Sequence, residues 1–231
     1  MIKTFKLLFF IIIIIICIIL GLWQIDRANE KANLYNSFKD KISKNPIDFK
    51  VIKDNPIEFT KIIIKGKYIN DKQFLLDNKI FNKQAGYEVI SPMLLDNQII
   101  LINRGWVSNN NRQSLPKIDI KNINEAAIGY IYQYKDFYQL SEDIYTNVWP
   151  LVIQNIEINK IQEMFEPNIF PYIIMMNEEQ SNSYSLQTIY KKNSDLKHYM
   201  YAGQWFLFAL IGIIFMIILY RKDKRDEFKS N

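Results

Sequence analysis

A β-rich, water-soluble domain carried between two transmembrane helices is the fold class this sequence predicts. Three observations predict it. Residues 7–25 carry no charged side chain, and residues 199–220 carry none either. Each stretch reaches the roughly 20 apolar residues needed to cross a hydrocarbon core of about 30 Å. Between them, residues 26–197 are rich in Lys, Asn, Asp and Tyr, hold short β-branched and aromatic runs set off by turn residues, and have no comparable apolar stretch.

The first apolar stretch includes six consecutive isoleucines, residues 11–16, and follows Lys3 and Lys6. A positive start fits either a cleaved signal peptide or an uncleaved helix. The run is long for a signal segment and no pair of small residues marks a cleavage site, so an uncleaved span is expected. Trp23 at its exit suits an interfacial anchor. Beyond it, residues 27–44 are polar with scattered apolar positions (Ala28, Leu34, Phe38, Ile42), which predicts a helix continuing out of the membrane and ending near Asn45-Pro46.

β signals then take over. Residues 60–69 predict a strand interrupted by Gly66, and residues 73–76 a short one. Residues 86–95 and 98–107 flank Asp96-Asn97 as a hairpin. Residues 126–134, 149–156, 171–176 and 185–190 are further strands, and residues 177–185 a loop. Ile158, Ile161, Gln162 and Phe165 are spaced as one face of a short helix stopped by Pro167. Many short strands with one or two helices indicate a mainly antiparallel sheet, a small barrel or a sandwich.

The second apolar stretch ends in Tyr220-Arg221-Lys222, with Lys224 and Arg225 beyond. Both tails are basic, so the expected order is a cytoplasmic tail (1–6), a first span (7–25), an extracytoplasmic domain (26–197), a second span (199–220) and a cytoplasmic tail (221–231). No Arg- and Ser-rich transit segment precedes the first span, which favours a bacterial plasma (inner) membrane.

The net charge is +5, yet Lys alternates with Asp and Glu and no basic stripe interleaves with aromatics, so no nucleic-acid partner is expected. The single cysteine, Cys17, lies inside the first span. The domain therefore stands on packing without a disulfide, and zinc ribbons, redox CxxC chemistry and a cysteine nucleophile are excluded from it. The single histidine, His198, abuts the second span, so a Ser-His-Asp arrangement in the domain has no base. GxSxG, Walker A and HExxH are all missing. A pair of carboxylates meeting in space stays open, but no pair stands out. A non-catalytic protein is expected.

Three local features remain. Trp23-Gln24 with Arg27 and Lys31 forms either an ordinary interfacial belt or a basic face for lipid phosphates and acidic groups. Asn103-Arg104-Gly105-Trp106-Val107 closes an apolar strand. It reads either as a strand end where Gly permits a bulge and Trp packs, or as a planar cation with room for a carboxylate, in which case Arg104→Ala should spare the fold. At the second span, helical spacing lines up His198, Ala202, Trp205, Ala209 and Gly212 on a face that a helix or a flat ligand could approach. His198 is there either as an interfacial residue among Tyr199, Tyr201 and Trp205 or as an axial ligand for a haem.

The order of these motifs carries a resemblance. Trp23-Gln24, Arg27 and Lys31; Gly66 and Tyr68; Gly86-Tyr87 followed by Pro92; residues 103–107; and His198, Tyr201-Ala202 and Trp205-Phe206 are similar, in that order and across nearly the whole chain, to the surfeit-locus (Surf-one-like) family of cytochrome c oxidase assembly factors. Lys197 stands where that family often has Asn.

The resemblance implies a chaperone for the nascent core subunit of a haem-copper oxidase in the respiratory chain, working beside other assembly factors and membrane lipid. It further implies haem a as cargo, with His198 on the iron, Tyr201, Trp205 and Phe206 walling the macrocycle, and Arg104 or Arg27 pairing a propionate. The alternative is a scaffold that stabilises oxidase intermediates without touching haem.

Overall fold

The computed structural model describes residues 2–109, 114–135 and 142–230. They form two compact units: residues 1–38 with 190–231, and residues 39–189.

The larger unit is built on one nine-stranded mixed sheet. Its strands are β1 (Ile47–Asp48), β2 (Lys61–Ile64), β3 (Lys67–Tyr68), β4 (Phe74–Phe81), β5 (Gln84–Leu95), β6 (Gln98–Ser108), β7 (Ala127–Tyr132), β8 (Leu151–Ile153) and β9 (Asn168–Met176). The order across the sheet is β1-β2-β7-β9-β6-β5-β4-β8, with β3 paired to β5. Two short helices, α2 (Phe49–Ile52) and α3 (Ile158–Gln162), join it.

The β5–β6 hairpin turns at Asp96, whose φ of +52° suits a tight turn. Gly66 separates β2 from β3 as the sequence indicated. Every residue from Ile99 to Trp106 is buried, so β6 is covered on both faces. One core gathers Phe49, Ile62, Ile64, Ile100, Ile102 and Ile174, and another Leu75, Tyr87, Val89 and Ile118.

Most pairings are antiparallel, as expected, namely β2–β7, β3–β5, β4–β5, β5–β6 and β7–β9, but the sheet is mixed, because β1–β2, β4–β8 and β6–β9 are parallel pairs. A parallel pair needs a long connection, and here about 60 residues separate β6 from β9. Strand propensity carries no information about which distant segment will return alongside. Residues 185–190 are also not a strand: Ser185 makes only an isolated bridge to Trp106.

The smaller unit is a pair of long helices, with α1 running Ile2–Ile42 and α4 running Leu196–Ser230. Both are long and apolar enough to cross a membrane, over Leu7–Ile42 and Leu196–Lys222. Only 17% and 11% of their apolar windows is buried, so neither is a core helix of a soluble fold, and the uncovered Ile, Leu and Phe surface suits membrane association.

Burial along α1 follows a stripe through Ile14, Cys17, Gly21, Gln24, Ala28, Lys31, Tyr35 and Phe38, in steps of three and four. Along α4 it follows His198, Ala202, Trp205, Ala209, Gly212 and Met216. That 3.5-residue period is the seam of two helices packing side by side. Ile14, Cys17 and Ala209 form its buried cluster, with Trp205 and Met216 against it. Of the two occupants the small-residue face could admit, the structure supplies the helix.

Candidate functional site

The α1–α4 seam brings residues 174 positions apart into contact. At Gly21 a Cβ would lie only 2.6–2.9 Å from the Phe206 ring, so glycine is what lets the two backbones approach there. One turn further along α1, Gln24 reaches the first turn of α4, where its Oε1 lies 2.8 Å from Nδ1 of His198. The adjacent Tyr199 donates its hydroxyl to Asn29 Oδ1 at 2.7 Å. Further out, Phe38 and Tyr190 meet edge to face at 5.4 Å. The start of α4 is thus pinned to α1 through two consecutive residues.

His198 is half-buried, and Gln24 is its ring's hydrogen-bond partner; among the described residues Nε2 carries no hydrogen bond. The donor chemistry suits a haem iron, which takes one or two axial nitrogens from a neutral imidazole. It does not suit a multidentate metal centre, since no group of three His, Cys, Asp or Glu side chains gathers among the described residues.

The expected walls divide. Tyr201 is 49% exposed, on the flank of α4 beside the seam. Trp205 packs on the Ile14–Cys17 cluster and stands edge-on to Phe208 at 5.9 Å, while Phe206 lies over Gly21. Both pack within the helix pair, whereas Tyr201 keeps about half of its surface open. Arg27 is exposed, one turn beyond Gln24, and pairs with Glu30 at 2.6 Å. In water such an exposed pair opens at little cost, which leaves the guanidinium able to exchange partners.

Arg104 belongs to a different environment. Trp106 pairs with Glu88 and Asn103 with Ile90, so Arg104 and Gly105 together oppose Val89 alone, and β6 bulges. Gly105 takes φ +109°, and a Cβ there would meet Ser185 O at 2.9 Å. The bulge turns Arg104 inward, where it is only 1% exposed. Its Nε donates to Asn182 O at 2.9 Å, Nη1 to Gln73 Oε1 and Ile118 O at 3.2 and 3.3 Å, and Nη2 to Ile118 O at 3.3 Å. The guanidinium lies 4.9 Å from the Tyr184 ring centre.

These partners are themselves tied. Gln73 accepts from Ser91 and donates to Asn70, and Asn182 Oδ1 accepts from the backbone of Lys121 and Asn122. Desolvation lowers the Arg104 pKa, with Tyr184, Tyr68 and Asp119 opposing the shift. The same burial raises the Tyr68 hydroxyl well above its ordinary value.

Arg104 is therefore the hub of a buried polar network, with its hydrogen-bond partners among the described residues all inside the sheet domain. A β-bulge places successive residues on the same side of the sheet, which a strand reading by alternation does not anticipate.

Sequence reasoning missed Gln24 as the partner of His198, and missed Asn29 and Gln73 altogether. A signal for Gln24 was present: it falls on the three-four stripe with Gly21 and Ala28, a polar side chain on the face an antiparallel helix would cover.

Comparison with known proteins agrees over nearly the full length. The model of the SURF1 family matches residues 11–210. A SURF1-like protein of Rickettsia bellii is 28% identical over 94% of this chain and 89% of its own length. One of Rickettsia prowazekii is 30% identical over 87% and 82%. The yeast protein named Cytochrome oxidase assembly protein SHY1, from Saccharomyces cerevisiae, is 28% identical over 41% of this chain and 26% of its own.

Proposed function

We propose, from the premise that the chain belongs to the SURF1 family, that it is a non-catalytic cytochrome oxidase assembly factor that holds haem a through His198 for delivery to the nascent core subunit. The assembly role is supported by the name of the yeast relative. The haem role rests on one observation: the only imidazole in the chain is held by its Nδ1 at the rim of an apolar helix pair, and among the described residues Nε2 has no hydrogen-bond partner.

Haem a is the cargo in this reading, and it would supply the iron that a single histidine can ligate and later surrender. The chain's own residues do the rest. His198 offers Nε2. Tyr201 gives an aromatic surface on the outer side of α4. Arg27, released from Glu30, is the cation nearest in sequence to Gln24 that could meet a propionate. Trp205 and Phe206 keep α4 against α1, so that the ligand is presented from a rigid pair. With one histidine in the chain no second imidazole can close the iron's other face, which favours release over storage.

The basic flanks Lys3, Lys6, Arg221, Lys222, Lys224 and Arg225 support cytoplasmic tails and an extracytoplasmic sheet domain in a cell inner membrane. Protease access at residues 177–185 from the outer side is the expected result; cleavage only from the cytoplasmic side reverses the orientation.

The test of cargo is the pigment. Protein produced in cells making haem a should purify with a haem spectrum that His198→Ala abolishes or shifts, with the protein still in the membrane. Colourless wild type in the presence of abundant haem a, or an unchanged spectrum in His198→Ala, overturns the carrier reading and leaves a scaffold for oxidase intermediates.

A further inference from the structure

An amide oxygen has lone pairs and no proton. The hydrogen in the 2.8 Å contact between Gln24 Oε1 and His198 Nδ1 therefore sits on the imidazole. A neutral imidazole has one N–H, so a ring that donates from Nδ1 keeps its lone pair on Nε2. We propose that Gln24 is a positioning residue that locks His198 in the Nδ1–H tautomer and so dedicates Nε2 to coordination. The purpose of the lock rests on the haem reading above; the lock itself is a property of the empty protein.

Three features make the contact a built one. Gln24 lies on the buried stripe of α1 rather than on its lipid-facing side, as Trp23, 55% exposed, does. The Gly21–Phe206 approach, less than one turn away along α1, holds the helices close enough for a glutamine to bridge them. The Tyr199–Asn29 bond fixes the residue next to His198 against the same helix, which limits rotation of the first turn of α4.

The choice of an amide over a carboxylate has a chemical consequence. Both accept from Nδ1, but a carboxylate raises the basicity of the imidazole and strengthens the bond from its other nitrogen. Glutamine sets the tautomer with less of that strengthening. A site that must give up its ligand is served by the weaker partner.

The chain contains one histidine, so 15N-imidazole labelling of the full-length protein in lipid nanodiscs yields a single, self-assigned pair of ring nitrogens. At a pH where the ring is neutral, wild type should show Nδ1 protonated and Nε2 bare. Gln24→Leu should lose that preference, Gln24→Glu should restore it, and Asn29→Leu, which removes the neighbouring bond, should leave it intact. A wild-type ring protonated at Nε2, or one whose tautomer Gln24→Leu does not change, overturns the proposal. Loss of the preference in Asn29→Leu as well overturns it too, because general loosening of the helix pair then accounts for the effect.

Titrating the same four proteins with haem separates lock from cargo. Gln24→Leu should weaken binding on the order of ten-fold and shift the Soret band, and Gln24→Glu should tighten binding. If wild type binds haem and Gln24→Leu binds it equally well, the positioning role is overturned. If none of the four binds haem while the tautomer responds as expected, the lock stands and it is the carrier reading that fails.

Discussion

Arg104 and His198 are the two nitrogen-bearing side chains that the sequence singled out most strongly, and their surroundings in the structure are opposites. Arg104 is buried inside the sheet domain with Nε, Nη1 and Nη2 all donating to fixed acceptors. His198 is half-buried at the start of a long apolar helix, with one ring nitrogen held and the other without a hydrogen bond among the described residues. A guanidinium whose three nitrogens all donate to two carbonyls and a glutamine inside the domain is committed to the fold. An imidazole held on one side only is in the state a metal ligand requires. Spare valence, more than charge or motif membership, separates the residue that builds the fold from the one that can act.

That contrast can be broken most directly at Arg104. Arg104→Ala should destabilise the sheet domain by about 3–5 kcal/mol, since it opens a cavity, takes from Asn182 O the donor it has in Arg104 Nε, and leaves Gln73 Oε1 and Ile118 O with one donor fewer each. Chemical denaturation followed by tryptophan fluorescence would measure it. A loss under about 1 kcal/mol would make Arg104 dispensable to the fold and return it to the list of ligand contacts.

Arg104→Lys sharpens the same point. Lysine keeps the charge but lacks the planar fork, so it cannot reach Asn182 and Ile118 at once, and a loss of roughly 2–3 kcal/mol is expected. Gly105→Val should cost about 1–3 kcal/mol, because φ +109° is strained for a β-branched residue and its Cβ would press on Ser185 O.

The smallest stability effect belongs to His198. His198→Ala should leave the denaturation midpoint of the sheet domain within about 0.5 kcal/mol of wild type, while it removes the imidazole proposed as the haem ligand. A large fall in domain stability would place His198 with Arg104 as a structural residue.

Much of the molecule was legible from local rules, and for particular reasons. The two apolar helices announce themselves because nothing but uncharged residues can cross a bilayer. The Asp96-Asn97 hairpin and the break at Gly66 are local backbone events. The small-residue face of α4 was also visible, as a surface that a helix or a flat ligand could approach.

Sequence alone therefore determined the helix–domain–helix order, the strand-rich character of residues 60–176 and the chemical uniqueness of His198. Only the tertiary structure decided the rest: the parallel pairing of β6 with β9, the inward turn of Arg104 at the β6 bulge, the filling of the α4 face by α1, and the hydrogen bond from Gln24 to His198. Each of these joins groups whose meeting depends on how the chain returns, or on a one-residue slip in register. Periodicity describes an element and the face it presents; it carries no term for the partner that face will meet.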